Sequence, residues 1–187
     1  MGPKSRFWCN LAWFARRNAS RGFNFAGFSR LALRVFPCGE TYELPDASNL
    51  WRRFMASDNH LIWDDNLGEW RPTPASLIFD PDLSCSWGQH LEMHGKGPGA
   101  VLESDARYTL VGEFIVSRIR SLGFLASHTP HQNSLIGCAH VSVDWPPSAI
   151  PPGKTQPNKD VRNDLRRDLT QDFSWINGNF PPRPEGA

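Results

Sequence analysis

No Asp or Glu stands before Glu40 in this 187-residue chain. Seven cations occupy that acid-free stretch: Lys4, Arg6, Arg16, Arg17, Arg21, Arg30 and Arg34. From residue 40 onward the remaining 13 Lys and Arg (20 minus 7) face all 19 Asp and Glu. The formal net charge of +1 therefore joins a leader of +7 to a body of −6, and such a break marks the start of a folded domain. Cysteine is scarce too. Cys9, Cys38, Cys85 and Cys138 are far apart and never form C-x-x-C, which argues against a zinc ribbon or a dense disulfide framework and suits a reducing compartment. Long apolar runs are missing: the longest uncharged stretch of the body, Ser121 to Val143, carries His128, Pro130, His131, Gln132 and Asn133, side chains costly in hydrocarbon. No membrane span is read, and a cytoplasmic protein is expected. There is no G-x-x-x-x-G-K-[ST], no G-x-G-x-x-G and no G-x-S-x-G, so phosphate-cradling loops and a nucleophile elbow are excluded. No cofactor is read from the sequence, and no internal repeat.

What is present is oily enough to fold. Two-fifths of the residues are hydrophobic, with eight Trp and twelve Phe, the composition of a globular chain with a single core. One domain is expected over residues 40–176, followed by a flexible Pro and Gly tail over 177–187. Three readings stay open for residues 1–39: a presequence, a basic arm for nucleic acid or an anionic surface, or translated DNA upstream of the true start. Gly22 to Ser29 holds too much glycine for a stable helix, so the leader is expected to be disordered. Nucleic acid would be met only through this leader, since acids outnumber bases in the body.

The body reads as α+β: a small, mostly antiparallel sheet with one main packed helix and a C-terminal amphipathic helix. Leu50 to Ala56 predicts a short helix behind Asp46 or Ser48 as cap, and Ser57 to Glu69 a loop. Ala75–Phe79 and Leu83–Trp87 read as paired strands around an Asp-Pro-Asp turn. Gln89–His94 has room for a turn or two of helix, and Ala100–Glu103 reads as a strand. The main helix is placed at Tyr108–Leu122, where Val111, Ile115, Ile119 and Leu122 form a stripe ended by Gly123. Phe124–Ala126 and Ile136–Val143 read as strands, and the prolines of 144–157 as an extended connector. Val161, Leu165, Leu169 and Phe173 recur every four residues, which predicts a last helix from Lys159 to Phe173.

Several short segments carry a resemblance. Leu50 to Arg53 matches an L-x-R-R entry, Arg71 to Phe79 an R-P-S/T-x-A block with a Phe soon after, and Leu83-Ser84 an L-S pair. The Asn133 to His140 region is similar to an Asn-Pro-Ala-His segment, with Cys138 where the proline would stand, and the helix from Lys159 closes the pattern. Over residues 48–176 the chain thus resembles a group of small bacterial proteins, and the resemblance implies one compact domain with no activity attached.

Three constellations carry candidate chemistry. Arg52, Phe79, Ser84 and Glu113 look like the sparse skeleton of small ADP-ribosyltransferase-type domains. That likeness implies an Arg holding a dinucleotide and a Glu stabilising positive charge on the ribose, with Arg52, Ser84 and Glu113 catalytic. His90 and His94 are four apart, a spacing that puts two metal ligands on one helix face, with His128, His131 or His140 to complete a metal-dependent hydrolase. H-L-E-M-H is not H-E-x-x-H, however, because Glu92 sits one place late. Polar loop histidines are the alternative. Trp70 and Arg71 are a candidate binding pair, Arg71 contacting an acidic group or stacking on a neighbouring ring. With no convergent catalytic motif and a surplus of tryptophan, the leading expectation is a non-catalytic accessory protein that acts with a protein partner.

Overall fold

The four-residue step from Leu50 to Phe54 fits an i,i+4 helical pair and equally an even step along a strand. In the computed structural model, which describes residues 41–103, 105–131, 134–171 and 173–183, it is a strand, β1 (Asn49–Phe54). The two further strands of the 57–72 region form a separate hairpin, β2 (Leu61–Asp64) with β3 (Glu69–Pro72), where a loop is expected from the density of Asp and Asn. The expectations for residues 1–39 lie outside the described residues.

The same ambiguity governs the segment expected to be the main helix. Tyr108–Leu122 divides into strand β5 (Leu110–Ile115) and a short helix, of which only Val116–Ser121 is helical. Leu110, Val111, Gly112 and Phe114 are all buried, because β5 is an inner strand covered on both faces, so its run of apolar residues mimics a helical stripe. Gly112 was the dissenting signal. A side chain there would put its Cβ 1.7 Å from Cζ of Phe173, so bare backbone at this point is what lets the Phe173 ring lie against the sheet.

Among the described residues the strands and α-helices follow in the order β1, β2, β3, β4 (Leu83–Trp87), α1 (Gly88–Met93), β5, α2 (Val116–Ser121), β6 (Leu125–His128), α3 (Leu135–Cys138), β7 (His140–Asp144), α4 (Lys159–Gln171) and β8 (Ser174–Gly178). Six strands form one antiparallel sheet in the order β6-β7-β4-β1-β5-β8, so the fold is α+β. Among the described residues no helix is long and apolar enough to cross a membrane.

Other expectations need correction. Ala75–Phe79 is not a strand: Pro74–Ser76 is a 3-10 turn capped by Thr73, and Leu77 and Phe79 pack from a loop into the core. β4 takes its partners from β1 and β7 instead. Ala100–Glu103 falls in a 3-10 turn, Pro98–Leu102, opened by proline. The strand expected at Ile136–Val143 starts only at His140, after the helical turn α3 capped by Ser134 Oγ. β8 runs to Gly178, and the Trp70 indole donates to the Pro181 carbonyl at 3.0 Å, so the ordered chain extends beyond residue 176.

One face of the sheet is oily. Phe54, Phe114, Phe173 and Trp175 meet edge to face with ring centroids 4.5–5.3 Å apart, a geometry that aromatic quadrupoles favour. Phe79 stacks on Trp145 at 3.9 Å, and Arg166 of α4 lies over both rings, fastening that helix to the connector. Gly112→Ala should therefore destabilise the fold by about 2 kcal/mol or more, the cost of overpacking a filled core. Urea denaturation checks it, and adding Phe173→Leu should recover part of the loss, because the two positions share one space.

Candidate functional site

Cross-strand partners project to the same side of a sheet, so the register defines the second face. His140 is opposite Ser86, Ser86 opposite Trp51, Trp51 opposite Glu113, and Ser84 opposite Ser142. This face is polar, and it opens into a pocket of about 410 Å³. Trp51, Ala100, Val101 and Ile136 supply apolar wall, while Arg53, Ser84, Ser86, Glu103, Ser134 and His140 supply polar groups. Gly88 packs against the Trp51 wall: a Cβ there would sit 2.6 Å from the indole, so the chain leaves β4 and enters α1 in direct contact with that ring.

Within the pocket, hydrogen bonds connect strands β4, β7 and the end of β6. Ser84 Oγ lies 2.8 Å from His140 Nε2. On the far side of the ring, His140 Nδ1 is 3.1 Å from the Thr129 carbonyl and 2.9 Å from Thr129 Oγ1. Thr129 Oγ1 is in turn 2.8 Å from Ser142 Oγ. A carbonyl oxygen accepts and never donates, so in the tautomer with the proton on Nδ1 the ring donates to the Thr129 carbonyl and Nε2 accepts from the Ser84 hydroxyl. Burial holds the His140 imidazole below its ordinary pKa, partly opposed by the bond to Thr129, and the ring stays neutral at pH 7.

The three residues of the transferase-like skeleton are not brought into this pocket together. Ser84 lines it. Arg52 follows Trp51 on β1 and so projects to the opposite face, where its guanidinium donates to the Ser84 carbonyl at 2.7 Å and lies 5.9 Å from the Phe54 ring. Removal from water lowers the Arg52 pKa. Its neighbour Arg53 is the pocket's arginine. Glu113 Oε2 accepts from Asn49 Nδ2 at 2.8 Å and from the Trp51 indole at 3.1 Å, which holds Trp51 in place.

His90 and His94 do share a side of α1, with rings 4.9 Å apart, but the next histidine is His128, 6.0 Å from His90, and not His140. The His128 ring is engaged at both nitrogens, Nδ1 accepting from the Tyr42 amide and Nε2 donating to the Cys138 carbonyl. Among the described residues no three His, Cys, Asp or Glu side chains are placed to hold one ion. Burial, with His94 and His128 beside it, lowers the His90 pKa to about 3, and burial also lowers those of His94 and His128. The unfolded chain takes up these protons near pH 6.5 and the folded chain does so only at lower pH. Stability should thus be full above pH 7 and fall as the pH drops below about 6.5, with His90 alone contributing up to ~1.4 kcal/mol per pH unit between about 6.5 and 3. Urea midpoints at pH 7.5, 6 and 5 measure this, and His90→Leu should flatten the decline.

Of the two contacts expected of Arg71, the acidic group is present, and it is Glu69 of the same strand. The Arg71 guanidinium donates to the Thr170, Gln171 and Phe173 carbonyls at 2.5, 2.9 and 3.3 Å and pairs with Glu69 at 3.0 Å, closing the C-terminal end of α4. Trp70 is tied in the same way: its carbonyl accepts from the Trp175 indole at 2.6 Å. The six described tryptophans are buried or half-buried, and of these Trp51 lines the pocket. Arg71→Met should cost about 1.5–3 kcal/mol in urea denaturation, with Arg71→Lys recovering only part, because lysine lacks the planar fork.

No protein-family model matches the chain, and no curated protein or solved structure matches it at a significant level.

Proposed function

We propose that this chain is a small-molecule-binding domain whose ligand, a polar organic molecule with an apolar portion, occupies the pocket on the polar face of the sheet. The observation that carries this reading is the pocket's lining. Trp51, Ala100, Val101 and Ile136 can cover an apolar portion while Arg53, Ser84, Ser86 and His140 fix its orientation, and its volume falls in the range of ligand sites. Arg53, Ser84 and His140 come from three separate strands and meet at this one pocket.

A thermal-shift screen of small polar metabolites tests the reading. A ligand at a hundred times its Kd adds about 2.7 kcal/mol, which for a domain of this size raises Tm by roughly 5–10 °C. The rise should vanish in Ile136→Trp, which fills the pocket, and in Arg53→Met, which removes its cation. Hits that survive both substitutions would place the ligand elsewhere.

A further inference from the structure

We propose that Ser84 is a nucleophile activated by His140, and that the pocket carries acyl-transfer chemistry on a carboxylic ester or thioester. This deepens the binding reading and rests on it, since the substrate would be held by the same walls. Three observations point the same way. The Ser84 side chain is exposed to solvent at the pocket, so its oxygen is open to attack an incoming carbon. His140 Nε2 is within 2.8 Å of that oxygen, near enough to take its proton. The Thr129 carbonyl, on the far side of the ring from Ser84, can accept from Nδ1 and so supports the tautomer that a general base needs.

The steps balance with water as the only co-reactant. Ser84 Oγ bonds to the carbonyl carbon as its proton passes to His140 Nε2, and the carbonyl π pair moves onto oxygen. The charge of Arg53, on the same pocket wall, opposes the negative charge that develops there. Collapse expels the alcohol or thiol, which takes the proton from His140. Water then attacks the acyl-Ser84 ester, giving its proton to His140 and returning it to Ser84 as the carboxylic acid leaves.

The test uses the full chain and a fluorophosphonate, a probe that phosphonylates activated serines. Intact mass and peptide mapping should show one adduct, on Ser84, absent in Ser84→Ala and formed about 10²–10⁴-fold more slowly in His140→Gln. The labelling rate should rise with pH through a midpoint below 6.5, since burial lowers the His140 pKa. No adduct under conditions that label a known serine hydrolase would overturn the proposal, as would an equal rate in His140→Gln or an adduct confined to other serines. Failure of the two readings is separable. A ligand that still raises the Tm of Ser84→Ala leaves the pocket in place without the nucleophile, whereas Ser84 labelling that persists in Ile136→Trp removes the pocket reading and leaves the nucleophile.

Discussion

A phenylalanine ring lying on bare backbone organises this fold. Phe173 occupies the space above Gly112 that any side chain would claim, and from there it touches Phe54, Phe114 and Trp175. It stands between the end of α4 and the start of β8. Seating this one ring therefore brings down the helix and the edge strand together. Arg71 secures the same junction from the other side by occupying the last carbonyls of α4, groups that a helix leaves without intrahelical partners. Trp70 and Trp175 extend the bond network from the small hairpin to the sheet edge. A helix with few buried side chains of its own, Leu169 and Thr170, is held by its final turn.

With one face committed to that cluster, the other is free to be polar. Ser84, Ser86, His140 and Ser142 come from two neighbouring strands, and their alternation with Leu83, Cys85, Val141 and Val143 follows directly from the two-residue period. Ser84 and His140 then bond across the strands, and Thr129 links His140 to Ser142. The Pro98–Leu102 turn and α3 stand beside them, and these walls turn the sheet face into a pocket. Glu113 and Asn49 brace the Trp51 wall. The site is thus a by-product of the packing on the opposite side.

Much of the organisation was legible. The last helix was, because a four-residue apolar step kept up over thirteen residues, with charges opposite, fits no strand of ordinary length. β4 was legible from a short run bounded by turns, and α1 from the glycines that cut it short. Leu50–Phe54 and Val111–Ile115 were not, because a step of four is both one helical turn and two strand repeats, and neither run is long enough for the two periods to diverge. Burial on both faces removed the polar alternation that would have exposed β5 as a strand. Gly112 was the available hint, overruled by the apolar stripe around it. In the site, Ser84 was singled out and lies in the pocket, while Arg52 was taken where Arg53 lines the wall. Neighbours on a strand face opposite ways, and nothing local tells which way is inward.

By itself the chain determined where charge, turns and oily residues fall, and hence an α+β body with an amphipathic helix near its end. Those properties depend on neighbours a few residues apart. Only the tertiary structure decided which side of each strand is buried, and with it that Arg52 turns away from Ser84 while His140 turns toward it. Phe173, which covers Gly112 from 61 residues further along (173 minus 112), is one such long-range contact and is invisible to any short window of sequence.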